Sequence, residues 1–252
     1  MPFKERHEQI IKKFKKPPTP LQFWGWTIGF GVLVYAAVFC YDFIQSRTID
    51  LFLINTQLAL TGMYLIGFSF ILSGLAFFWD FVDTKVVFRK YLGMVGYYLI
   101  LVHVVFSFVN YFFVSNAPRP TFDSSWEWLI GDVLISNLWA FGFGLLAFLI
   151  FTIMALISNR YAALELGGVR WRQLLRVGYV AYFFVLIHFF LKRFEQWQAW
   201  LAGDYGKYPP QSLLLLVFIL FVLLLRVALF VSVRRKQKER ETDVSKDAVE
   251  IQ

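Results

Sequence analysis

The chain of 252 residues is 58% hydrophobic and 20% aromatic, with a mean hydropathy of +0.58, which excludes an ordinary soluble globular domain. A formal charge of +8 would suit nucleic acid, but the lysines and arginines are confined to tails and short connections between apolar runs. That pattern belongs to membrane topology, so nucleic acid is excluded as a partner and the lipid bilayer is expected.

Residues 1 to 16 alternate charged and apolar positions (Phe3, Ile10, Ile11, Phe14), which predicts a short basic helix lying on an anionic membrane surface. Pro17, Pro18 and Pro20 end it. Six apolar segments follow: Phe23 to Ile44, Gln57 to Phe81, Tyr91 to Val114, Leu129 to Ile157, Leu174 to Trp197 and Ser212 to Val233. At about 1.5 Å per residue each is long enough to cross a hydrocarbon core of about 30 Å. The first is longer than the apolar region of a secretory signal and has no small-residue cleavage site, so it reads as a retained anchor. The single cysteine, Cys40, lies within it, where a packing role is expected and no disulfide within the chain can form.

Taking the N-terminus as cytoplasmic, that side carries the N-terminal cluster, Lys85, Arg89, Lys90, Arg160, Arg170, Arg172, Arg176 and the tail RRKQKER. The other side carries Arg47, Arg119, Lys192, Arg193 and Lys207. The bias predicts an all-α bundle of six transmembrane helices with both termini cytoplasmic. Three regions follow: a basic segment over 1–20, the six-helix domain over 21–234, and a polar cytoplasmic tail over 235–252 expected to be disordered.

Of the outward connections, SNAPRPTFDSSWEW reads as a true loop with Trp126 and Trp128 at the interface. The other, FEQWQAWLAGDYGKYPPQ, spaces Trp197, Trp200 and Leu201 helically before Gly203, which suggests an amphipathic turn on the outer surface. An interfacial aromatic belt is the stronger reading than a docking site.

Two histidines, His103 and His188, lie inside apolar segments and are the only ones outside the N-terminal tail. In the third segment Gly96, Ile100, His103, Ser107 and Asn110 share one helical face; in the fifth, Gly178, Ala181, Val185, His188 and Lys192 do. Small residues beside both imidazoles would leave bare surface for a flat macrocycle. The segments run in the same direction, with His103 11 residues after Leu92 and His188 14 after Leu174, so the rings reach similar depth. Spacing alone leaves three readings open: a metal or haem site, hydrogen-bonding packing residues, or a proton path.

The stretches FRKYLGMVGYYLILVH and WRQLLRVGYVAYFFVLIHF resemble the Arg-Arg-x-Leu-Gly motif with its following histidine, and the Trp-x-x-Leu-His-Arg-x-x-Tyr helix, of the ferric reductase-like transmembrane domain family. In size and span count the chain is similar to that family's haem-binding membrane subunits of bacterial methionine sulfoxide reductase systems. The resemblance is specific over Phe88 to His103 and Trp171 to Phe189. It implies that His103 and His188 ligate haem iron, and that the protein sits in a bacterial inner membrane. The family usually has a further histidine where this chain has Leu175, and leucine cannot bind iron. The expectation is therefore one b-type haem, with a flavin or a quinone as the further redox stop that the family suggests.

Lys192 and Arg193 are candidates to pair with haem propionates, with snorkelling an equal account. Arg170, Trp171, Arg172 and Arg176 could hold a phosphate or dock a reductase, although topological charge ranks first. Arg226, inside the last segment, requires a partner or a route to water. No GxGxxG turn is present, so a hydride donor must act through another protein. The expected function is a membrane cytochrome b carrying electrons from a cytoplasmic flavin reductase or the quinone pool to a periplasmic reductase or ferric iron, with redox partner proteins on one or both sides. The competing class is a non-redox membrane protein, such as a proton-coupled transporter or a structural subunit.

Overall fold

The computed structural model describes residues 18–46, 49–83, 85–109, 133–203 and 208–250. The helices in chain order are α1 (Pro20–Ser46), α2 (Leu51–Leu75), α3 (Asp80–Asp83), α4 (Phe88–Val109), α5 (Val133–Ile157), α6 (Arg160–Glu165), α7 (Gly168–Arg176), α8 (Gly178–Ala202) and α9 (Gln211–Glu250). Six helical stretches among the described residues are long and apolar enough to cross a membrane, and no strand occurs among them. The protein is thus an all-α integral membrane protein. The predicted N-terminal surface helix, the loop with Trp126 and Trp128, and Arg47, Asn110, Arg119 and Lys207 lie outside the described residues.

The spans form an up-and-down bundle. At one end Ser69 Oγ donates to the Arg89 carbonyl (2.8 Å) and Trp171 Nε1 to the Ile157 carbonyl (2.9 Å). At the other, Tyr41 Oη donates to the Pro209 carbonyl (2.9 Å) and Trp197 Nε1 to Ser212 Oγ (2.9 Å). The first end is the arginine-rich one and is called the basic end below.

Local sequence explains the element boundaries. Asp50 caps α2 by accepting from the Leu53 amide, and Asn159 caps α6 by accepting from Ala162. Gly203 ends α8 at φ 88°, a left-handed conformation that glycine adopts without cost. Hydroxyls inside the spans turn back onto their own helix: Thr27, Ser73, Thr152 and Ser158 each donate to the carbonyl four residues earlier. In lipid such bonds keep a polar side chain satisfied without a partner helix.

Several boundaries differ from the hydropathy reading. Helix α2 begins six residues before Gln57 and stops at Leu75, because Asp50 supplies the cap and Ala76 to Phe78 form a turn. The fifth apolar segment is two helices joined at Val177, whose amide bonds back to the Leu174 carbonyl as a tightened turn. The tail expected to be disordered continues α9 to Glu250. Its sequence is rich in Arg, Lys, Glu and Gln, which favour helix, and Arg235 and Glu239 pair one turn apart at 3.0 Å.

The tightest packing joins α2 to α4 and α5 to α8. Gly62 of α2 and Gly96 of α4 meet back to back, so that a Cβ on either would stand 2.8 or 2.7 Å from the other's carbonyl oxygen. Between lipid-soluble helices no hydrophobic driving force remains, so this close backbone contact is what holds the pair. Near the basic end the centre is filled by Phe70, Phe151 and Tyr182, the last wholly buried with its hydroxyl donating to the Met63 carbonyl at 3.0 Å.

Candidate functional site

The two intramembrane histidines are held in the same way from different neighbours. On α4, His103 is half-buried and its Nδ1 lies 3.1 Å from the Asn55 carbonyl oxygen of α2 and 3.2 Å from Asn55 Oδ1. On α8, His188 is half-buried and its Nδ1 lies 2.6 Å from the Ala140 carbonyl oxygen of α5. A carbonyl oxygen only accepts, so both Nδ1 atoms carry the proton and donate it. Both Nε2 atoms are therefore left with a lone pair, and neither has a protein partner among the described residues.

The backbone explains how a helical carbonyl becomes available. The residue four positions after a carbonyl normally covers its second lone pair. After Ala140 that residue is Gly144, and after Asn55 it is Ala59. Gly144 is essential to the fit, because a Cβ there would stand 2.7 Å from His188 Nδ1 and 3.0 Å from Cε1. Asn55 itself is anchored by donating Nδ2 to Ser107 Oγ at 2.9 Å, one turn along α4 from His103. Asn55, His103 and Ser107 form a connected polar cluster inside the bundle.

The expected bare surface beside the imidazoles is not there. Gly96 is covered by Gly62 and Ile66, Ile100 packs on Gly62, and Gly178 is covered by Met154 and Phe70. Ala181 and Val185 are buried in the core. The small residues allow helices to approach, which is the ordinary use of glycine in a membrane.

Lys192 and Arg193 follow His188 on α8, within electrostatic range of it. Lys192 is exposed and Arg193 half-buried, and Arg193 also lies in the field of Asp42 on α1. Asp42 accepts a short hydrogen bond from Gln57 Nε2, a contact between α1 and α2 that hydropathy does not disclose. Leu175 is buried within α7, before the turn at Val177. Arg170 and Arg176 are exposed, and Trp171 is tied to the Ile157 carbonyl. Arg226 does have a partner: its guanidinium lies over the Tyr179 ring, 5.1 Å from the centroid. Trp197 turns inward to Ser212, so Trp197, Trp200 and Leu201 form the last turns of a membrane helix instead of a separate surface turn.

Sequence reasoning did not find Asn55, Ala140 or Gly144. Asn55 leaves a trace as an amide in an apolar segment. Ala140 contributes only a carbonyl and leaves none.

The fold and this pair define a class, a six-helix α-helical membrane protein with two backbone-anchored imidazoles inside the bundle. The chain matches no known protein family and no curated protein.

Proposed function

We propose that the protein is an integral membrane cytochrome b in which His103 and His188 hold one haem. The observation that supports this most is the shared anchoring: each imidazole donates Nδ1–H to a backbone carbonyl and leaves the Nε2 lone pair without a protein partner among the described residues. An Nδ1 hydrogen bond to a carbonyl fixes the tautomer and ring orientation, and makes the other nitrogen a better ligand. The donor set, two neutral imidazoles without thiolate or carboxylate, suits haem iron bound on both faces.

A haem held so would supply reversible one-electron transfer with no position open to a substrate. The residues around it have separable tasks. Asn55 and Ala140 hold the imidazoles in the ligating tautomer, while Lys192 and Arg193 place positive charge beside His188, where propionates could pair. Phe70, Phe151 and Tyr182 fill the basic half of the bundle, which agrees with one haem and with Leu175 as an apolar residue.

In this reading electrons enter from a cytoplasmic flavin reductase or from the quinone pool and leave to a periplasmic reductase or ferric iron, across a bacterial inner membrane. The resemblance to the ferric reductase-like family supports the direction, and the lysine and arginine bias supports the orientation. A flavin or quinone would bridge the half of the membrane that a single haem leaves uncovered.

Purified protein should show a Soret band and, on dithionite reduction, a sharp alpha band. Both should disappear in His103→Ala and in His188→Ala. A colourless wild-type preparation expressed with adequate haem would overturn the proposal and leave the Asn55–His103–Ser107 cluster as a proton-handling or packing device.

A further inference from the structure

Near the basic end, four helices bring cations and one tyrosine together away from the histidines. Tyr179, in the first turn of α8, stacks on buried Phe70 with centroids 4.5 Å apart. Arg226 of α9 covers the same ring. Arg89, in the first turn of α4, is fixed through its carbonyl by Ser69, the residue before Phe70 on α2. It lies within electrostatic range of both Tyr179 and Arg226. Exposed Arg176 reaches the same field from the end of α7.

The cluster has a surplus of positive charge. Among the described residues no carboxylate pairs with Arg89, Arg176 or Arg226, and the Tyr179 hydroxyl has no hydrogen-bond partner. Arg226 follows Gln211 by 15 residues, about 22 Å along the helix, which keeps it inside the apolar span. Its guanidinium lies over a ring that is itself packed on the core. Two guanidiniums in one low-dielectric place repel each other, and the tyrosine face offsets only part of that cost. A single anion with several acceptor oxygens would answer both guanidiniums and the hydroxyl at once. Guanidinium forks match phosphate oxygens in geometry.

We propose that Arg89 and Arg226, beside Tyr179, bind the phosphate of an anionic phospholipid headgroup. The lipid source follows from position. Leu224 and Val227, which flank Arg226 on α9, are 67% and 59% exposed, so the site borders the surface that faces acyl chains. A headgroup phosphate drawn to this depth leaves its acyl chains along the apolar side of α9. The site would anchor one lipid at the basic end and neutralise charges that no carboxylate among the described residues offsets.

The test is native mass spectrometry of the delipidated full chain in detergent, titrated separately with dioleoylphosphatidylglycerol and dioleoylphosphatidylcholine. The wild type should retain one phosphatidylglycerol with about tenfold preference over phosphatidylcholine, and Arg89→Gln or Arg226→Gln should each remove most of that preference. Arg235→Gln, on an 82% exposed side chain of the tail, should leave it unchanged. Absence of preference in the wild type overturns the proposal whether or not the variants fold. Unchanged preference in both folded Gln variants overturns it as well. Competition with millimolar inorganic phosphate distinguishes the sources: failure to displace the lipid supports the headgroup, and displacement reassigns the pair to a soluble phosphate ester and overturns the lipid assignment.

Discussion

His188 and Gly144 face each other across the α5–α8 interface so closely that a single added carbon on Gly144 would lie 2.7 Å from the imidazole Nδ1. The same nitrogen donates to the Ala140 carbonyl, one turn earlier on α5. The absence of a side chain at Gly144 therefore makes the hydrogen bond possible as well as the close approach. Gly144→Ala should displace the ring, destabilise the fold by roughly 1–3 kcal/mol and, if His188 holds haem as proposed, lower haem content relative to wild type. Soret absorbance per protein and a thermal melt followed by helicity would check both effects; wild-type values of each would refute the role given to Gly144.

Asn55 offers a way to alter the basicity of His103, the proposed ligand, without removing it. Its backbone carbonyl remains in any variant, so Asn55→Ala should retain haem and cost about 1–2 kcal/mol through the lost Ser107 and His103 contacts. Asn55→Asp should place a carboxylate beside Nδ1–H, make Nε2 more basic, and shift the haem midpoint potential downward. A spectroelectrochemical titration decides this, and an unchanged or raised potential in a folded variant counts against His103 as a ligand.

The position of Leu175 permits a test of haem number. Leu175→His introduces the residue type that the ferric reductase-like family carries in the similar stretch, yet the neighbouring turn is filled: a Cβ on Gly178 would already meet Met154 Sδ at 2.6 Å and Phe70 at 2.9 Å. If the wild type binds one haem as proposed, the variant should still bind one per chain, measured by pyridine haemochrome against protein mass. A second haem in the variant would show that this half of the bundle opens more readily than its packing implies.

The contact of Gly62 with Gly96 should be the least tolerant place in the bundle. An added Cβ on either would meet the other's backbone oxygen, which cannot rotate away as a side chain can. Gly62→Ala is expected to cost about 1–3 kcal/mol or more. Because α2 carries Asn55 and α4 carries His103, it should also reduce haem content. Gly29→Ala on α1, where a Cβ meets nothing within 4 Å, is the matched control and should be neutral in the same thermal melt.

Trp197 separates the packing account from a docking account of the outer aromatic cluster. Trp197→Phe leaves Ser212 Oγ without its donor in a buried place and should cost about 1 kcal/mol in thermal unfolding. A partner-docking role would instead leave stability intact and weaken a complex.

The membrane class and the six spans were legible in the sequence because a bilayer imposes a length and an apolarity that each helix must meet within its own residues. So was the presence of two imidazoles, His103 and His188, inside apolar spans, since an imidazole in an apolar segment is costly enough to stand out. What hydropathy could not show was where each ring points. The glycines beside the histidines serve helix contact, and the groups that orient the imidazoles are a carbonyl of Ala140 and an amide, Asn55, on helices distant in sequence. A backbone carbonyl has the same chemical identity at every residue, so only the approach of one helix to another selects the one that matters. The same holds for Arg226, an unexplained charge in the chain that becomes one side of a cationic cluster once Tyr179 and Arg89 are brought beside it.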